Sequence, residues 1–479
     1  EPIEGPWERY KAGIYKTQTR RRFEQLFVDG RMMLEARWPN TTFEKLLTRD
    51  GWASAGPGSA YQTLRDPELA MTGVDWTGAT AVLNVAHQFW TWSRPVLNHR
   101  RGSDTFEYRI KMNPMHSQRK GWWDDDFYYL IGKLETLDHP TEWYLDKTGT
   151  LYLWPPDGRN PSGRDVRVKA RDYGFRGADL RHVQLSGFHF FACTFVLERA
   201  EHCRVENCHL RFPSFVRGVP DAEEPPRKSA GTRISGRDNL VRNCSLAYCA
   251  NFGIEVLGQR NVVENCLIHD VNWSGTLRYT AISLNGDQDA PRPANAARHN
   301  TVYNVGNAII TSNRNRYGII EYNHVHHGGL ISSDVSLIYT CLPYAMGNEI
   351  RYNWVHNSLS PNNSLGIRGD DKTRGLRVHH NVVWNIRRDA IVVKGGKNRV
   401  YNNTCFANGA SDILLFSGRE VDKWWQKWVK AYEHQNEDSL LVNNCARVIV
   451  STRRRRDPGR PGDHSNNYTG SVPKLVDPE

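Results

Sequence analysis

The chain has 479 residues, 39% of them hydrophobic and 24% charged, with 16 Trp, 20 Tyr and 16 Phe. That composition excludes a disordered or low-complexity protein and is long enough for two or three domains, or for one repeat domain with additions. A formal net charge of +11 favours polyanionic partners. No RNA-recognition or zinc-finger pattern accompanies it, so nucleic acid is not the expected partner. There is also no apolar run of about 18 residues that would span a membrane.

Residues 1–165 carry turn-bounded strand signals, "EQLFVDGRMMLEARWPN" and "WYLDKTGTLYLWPPDG", with Trp7, Trp38, Trp52, Trp76, Trp90 and Trp92 among them. They predict a β-rich accessory module packed on the N-terminal end of a repetitive region. The chain starts at Glu1 without a signal-peptide pattern, consistent with a processed secreted or periplasmic protein.

Residues 166–479 repeat. A β-like triplet followed by asparagine recurs at Asn207, Asn243, Asn265, Asn300, Asn323, Asn353, Asn381, Asn403 and Asn444, at spacings of 36, 22, 35, 23, 30, 28, 22 and 41. The shortest spacing equals one coil of a parallel β-helix, and the longer ones add loops. Asparagine suits a corner because it tolerates the left-handed region and its amide can bond its counterpart one rung on. Four of the nine cysteines, Cys208, Cys244, Cys266 and Cys445, follow such an asparagine. No CxxC pair exists, so they read as small buried apolar residues rather than disulfide or metal ligands.

A second strand lies between the asparagines: "FGIEVLG", "TAISLNG", "NAIITSN", "SLIYTCL", "LGIRGDD", "DAIVVKG" and "SDILLFS". Its third and fifth positions are mostly apolar and point inward, so the fourth and sixth point out. Stacking then brings Tyr339, Arg368, Asp370 and Lys394 together on one outer face, with Glu255 and Asn285 on earlier rungs. Loops such as "HVHHGGLISSDV", which holds His326, wall that face. A solvated ion-pair cluster is the structural alternative. Near 420–434, "VDKWWQKWVKAYEH" has helical spacing and predicts a helical insertion. The expected fold is therefore all-β: a right-handed parallel β-helix with an N-terminal β-rich module.

"QLFVDGRMMLEARWPN", "EWYLDKTGTLYLWP", "SSDVSLIYT" and "RVHHNVVWNIRRDAI" resemble the secreted right-handed parallel β-helix proteins that include glycoside hydrolase families 110, 120 and 141. The resemblance implies catalytic carboxylates where "SSDV" is followed one coil later by "GI..DD", at Asp334, Asp370 and Asp371. Asp334 precedes its strand, so its loop must fold back to reach Asp370. Hydrolysis would use one carboxyl as acid and another as base or nucleophile. Arg368, Lys394, Tyr339, His326, Asn285 and Glu255 would bind the sugar, and the basic flanks suggest an acidic or sulfated glycan. No metal or cofactor is implied for a hydrolase. The rival enzymatic reading is a polysaccharide lyase, with Lys394 as base and Arg368 or Ca²⁺ as neutraliser. A non-catalytic glycan-binding β-helix is the third reading.

Overall fold

A computed structural model describes the chain except for residues 61, 86–87, 110–125, 220–230, 278, 288, 343–344, 417–435, 437, 451–462 and 471–479. The helical insertion expected near 420–434 lies outside the described residues. The chain divides into two compact units: Glu1–Asp172 with Ser214–Ala230 and Trp273–Leu277, and Tyr173–Pro213 with Gly231–Asn272 and Arg278–Glu479.

The first unit contains a seven-stranded mixed sheet and a smaller antiparallel one. In the larger sheet Leu26–Val28 and Arg31–Glu35 form a hairpin closed by Asp29 and Gly30, both at positive φ. That is the primed turn whose twist matches the strands it joins. Leu26, Met33, Trp143, Leu151 and Leu153 form the core of this sheet. A separate core gathers Trp76, Leu83, Trp92 and Tyr128 on the smaller sheet, with Phe106 from a third, two-stranded sheet.

The second unit is a right-handed parallel β-helix. Its strands form three parallel sheets of 11, 11 and 10 members, and successive coils stack strand on strand. The first sheet runs from Tyr173–Ala178 to Ile449–Val450, the second from Gln184–Ser186 to Asp463–Ser465, and the third from His189–Phe191 to Cys445–Ala446. Alternation puts apolar columns inside each sheet. In the second sheet Val241, Val263, Ala297, Ile320, Ile350, Val378, Val400 and Leu441 lie in direct register and are all buried. Each large member adds about 1.5–3 kcal/mol of burial.

The asparagine repeat resolves into two ladders. From Asn300 onward the amides are buried and bond rung to rung: Asn300 to Asn323 at 2.9 Å, Asn323 to Asn353 at 3.0 Å, Asn353 to Asn381 at 2.9 Å, and on through Asn403 and Asn444 to Asn467. Asn207, Asn243 and Asn265 instead occupy the exposed left-handed corner one residue earlier, the place held in the next coils by His299, Tyr322 and Tyr352. The interior position of those first coils belongs to Cys208, Cys244 and Cys266, and the Cys266 N–H donates to Asn300 Oδ1 at 2.9 Å. Cys445 follows its ladder asparagine and so does not share their site.

Candidate functional site

The outer face of the first sheet carries the cluster. Tyr339 in Ser336–Thr340 pairs with Arg368 in Leu365–Gly369, and Arg368 pairs with Val392 in Asp389–Val393. The register continues past the strand ends: Asp370 N–H donates to Thr340 O and Lys394 N–H to Gly369 O, each at 2.8 Å. Asp370 and Lys394 thereby stand on adjacent rungs. Asp334 is reached by a fold in its own loop, where it takes φ 53° and donates its N–H to Asn362 O. The Asn363 amide donates to the Asp334 carboxylate, and Arg388 holds Asn363 Oδ1 at 3.0 Å.

Arg368 joins the carboxylates. One guanidinium nitrogen contacts Asp334 Oδ1 at 2.9 Å and the other Asp370 Oδ2 at 2.8 Å. Lys394 Nζ lies 2.5 Å from Asp370 Oδ1 and 3.0 Å from Asp371 Oδ1. The Tyr339 hydroxyl donates to Asp370 Oδ2 at 3.2 Å, and the Thr373 hydroxyl to the Asp370 carbonyl. Each Asp370 oxygen thus meets a cation and the residue is 7% exposed, whereas about a third of the Asp334 and Asp371 side chains faces solvent. Arg368 Nε is buried and without a hydrogen-bond partner.

Burial works to raise the pKa of Asp370, but the charges of Arg368 and Lys394 outweigh it and hold the carboxyl below the usual range. Asp334 shows the same balance, burial opposed by the Arg368 charge, and also stays low. Burial, and then the Asp370 charge, push the Tyr339 phenol well above its ordinary value, so it remains a donor.

Of the residues expected to act together, Asp334, Tyr339, Arg368, Asp370, Asp371 and Lys394 are assembled. Glu255 and Asn285 face the same way but sit four and three rungs earlier, roughly 19 and 14 Å from the Asp370 rung at about 4.8 Å per rung. They form their own network, Glu255 with Arg233 at 2.6 Å and Asn285 with Glu255 at 3.4 Å. His326 belongs to a strand of the third sheet, His324–Gly328, and not to the wall of this face. In the cluster itself three carboxylates face two cations. Asn363, Thr373 and Arg388 were not anticipated; nothing in their local pattern marks them, since their roles depend on how two loops fold. A separate cavity of about 740 Å³ lies in the first unit, lined by Arg22, Glu35, Thr80, Tyr144, Lys169 and Arg217 among others.

A family model described as a right-handed β-helix region matches residues 193–405. Among curated proteins, none matches the sequence. Three solved structures illustrate the likeness. One described as a glycoside hydrolase is 14% identical, covering 85% of this chain and 80% of its own, with a TM-score of 0.49. A family 6 polysaccharide lyase of Pseudopedobacter saltans is 16% identical over 62% of this chain and 81% of its own, TM-score 0.39. XylC in complex with xylose is 13% identical over 99% of this chain and 75% of its own, TM-score 0.40.

Proposed function

We propose that this protein is a glycoside hydrolase acting on an oligo- or polysaccharide at the outer face of the first sheet. The observation that carries the reading is the division of labour among the aspartates. Asp370 has both oxygens committed to cations and anchors Arg368 and Lys394, while Asp334 and Asp371 flank it with solvent-facing carboxyl groups. Asp334, held ionised by Arg368, takes the role of base or nucleophile. Asp371 has one cation contact, to Lys394 Nζ at 3.0 Å, and takes the acid role. The acid gives its proton to the glycosidic oxygen as the C–O bond breaks, and the opposing carboxylate attacks the anomeric carbon or activates water there.

The specific observation favouring a lyase is that Asp334 and Asp370 are both held ionised beside an arginine and a lysine. In that reading Lys394 removes the proton α to a uronate carboxylate and Arg368 neutralises that carboxylate. A panel of plant and algal polysaccharides, read for reducing ends and for ultraviolet absorbance, separates the two. Hydrolysis gives reducing ends alone, whereas elimination adds an absorbing unsaturated product. With a responsive glycan, Asp334→Asn and Asp371→Asn should each lose about 10²-fold or more in kcat; near-normal turnover in both removes the hydrolytic assignment.

A further inference from the structure

On the third sheet, four histidines meet on two adjacent coils. The strand His324–Gly328 presents His324 and His326 outward, two residues apart, while Val325 between them is fully buried. The next strand, Trp354–Ser358, pairs His356 directly with His326 and Trp354 with His324. One ring nitrogen from each of His324, His326 and His356 lies within 4.8 Å of the others. His324 Nε2 and His356 Nε2 are 2.8 Å apart.

Part of this arrangement is packing. Tyr303, His326, His356, Trp384 and Phe406 form one stack along the sheet, with centroids 5.1, 4.9, 4.1 and 5.9 Å apart. Stacking alone accounts for His326 and His356. His324 also meets the stack, its ring 5.1 Å from His356 and 4.5 Å from His326, but stands in the neighbouring column. There Ser245, Leu267, Thr301, Trp354, Val382 and Thr404 occupy the equivalent positions. His324 crosses out of its column to bring its nitrogen to His356. Two imidazole nitrogens at that separation share one proton in an N–H···N hydrogen bond, the proton a bound cation would replace.

We infer that His324, His326 and His356 form a binding site for a late first-row divalent cation of the Zn²⁺, Co²⁺ or Ni²⁺ class. Three imidazoles are the donor set such ions take, and they leave a fourth position open. A tetrahedral site with metal–nitrogen bonds of about 2.0–2.1 Å sets its nitrogens roughly 3.4 Å apart. The 2.8 Å His324–His356 pair and the 4.8 Å outer bound of the set lie on either side of that spacing. The surroundings suit the purpose. His326 Nδ1 lies 2.6 Å from His327 Nδ1, and the Asn357 amide holds His327 Nε2 at 3.2 Å. The Asn357 amide donates to His327 Nε2, so neutral His327 carries its proton on Nδ1 and donates it to His326 Nδ1, a hydrogen bond that fixes the His326 ring beside the site. All three ligands are half-buried, so a cation reaches them from solvent. The histidine site lies on a different sheet from the proposed hydrolytic cluster and stands or falls independently of it.

The test uses the whole chain, freed of any affinity tag, stripped with chelator and titrated with Zn²⁺ alone by calorimetry and with Co²⁺ alone by visible absorption. One Zn²⁺ per chain and the d–d bands of nitrogen-ligated Co²⁺ are expected. His324→Asn, which leaves the ring stack in place, should weaken binding at least tenfold, and His324→Asn with His356→Asn should abolish it. His327→Asn, which keeps a residue that tolerates the left-handed corner, should weaken it about 10–100-fold. His209→Asn, an outward histidine on an earlier coil of the same sheet, should change nothing. Absence of stoichiometric binding to the parent protein, or binding that survives the double variant, would overturn the assignment. Circular dichroism of each variant confirms that a lost site is not a lost fold.

Discussion

Arg368 and Asp334, 34 residues apart, meet at 2.9 Å while the same guanidinium holds Asp370 at 2.8 Å. One buried cation therefore fixes the separation of two carboxylates that the strand geometry alone would leave apart. Arg368→Met should destabilise the second unit by about 3–5 kcal/mol, because Asp370 keeps its desolvation while losing one of its two cations. Arg368→Lys should recover only part of this, since an ammonium is a point charge and cannot span both carboxylates as a planar fork does. Urea midpoints of the parent and the two variants measure the order; equal midpoints for all three would show that the bridge adds nothing.

The pH dependence follows from the direction of the Asp370 shift. Its folded pKa is depressed below an unfolded value near 3.9, so its contribution to stability is complete above about pH 4 and fades as pH falls toward the folded value. Asp370→Asn removes that contribution at every pH. The difference in urea midpoint between parent and variant should therefore stay constant from pH 7 to about 5 and narrow below about 4. A gap that closes already near pH 6 would contradict the assignment of charge.

The coil architecture was legible because its two signals, inward alternation and a repeated corner residue, are local and recur many times. Where the reading slipped, the cause was also local. In "NAIITSN" two adjacent isoleucines make either frame apolar, and the structure puts Ile310 rather than Ile309 in register with Ile282 and Ile338. The outward residues of that rung are consequently Thr311 and Asn313. "SLIYTCL", for which a one-residue shift is nearly as good a fit, has Tyr339 outward as expected. The same rule of alternation assembles Arg368, Asp370 and Lys394 from sequence alone. It has no hold on Asp334, whose approach is set by a left-handed residue and by the contacts of Asn363, nor on His326, because "HVHHG" is itself a strand of another sheet rather than a loop beside the first.

The buried asparagine ladder makes a prediction of its own. Asn353 donates its amide to Asn381 Oδ1 and Ile320 O at 2.9 Å each and accepts from both the N–H and the amide of Asn323 at 3.0 Å. Asn353→Val keeps a small side chain but strands donors and acceptors on two neighbouring coils, at about 1–3 kcal/mol for each stranded group. Native-state hydrogen exchange should show lost protection at Asn323, whose N–H donates to Asn353 Oδ1, with little change in the first unit. Unchanged protection at Asn323 would mean that the rungs hold through their backbone bonds alone.

Gly395 tests whether the placement of Lys394 matters independently of its chemistry. It follows Lys394 directly, takes φ +90°, and a methyl group added there would lie 1.9 Å from the carbonyl oxygen of Thr373. Thr373 is the residue whose hydroxyl bonds the Asp370 carbonyl, and its own carbonyl accepts from Asn398 at 3.2 Å. Gly395→Ala must therefore displace one of two coils at the point where the cluster is assembled. Gly30→Ala is the matched control: it also sits at positive φ, +75°, but nothing lies within 4 Å of the added methyl, so backbone strain of about 1–2 kcal/mol is its whole effect. Gly395→Ala should cost clearly more than Gly30→Ala in urea midpoint. On a responsive glycan it should lower kcat/KM about tenfold or more without removing any reacting group, since an ångström-scale misplacement near a site is enough to do so. Equal stability loss in the two variants, with turnover unaffected in both, would mean that the position of Lys394 is not set by this contact.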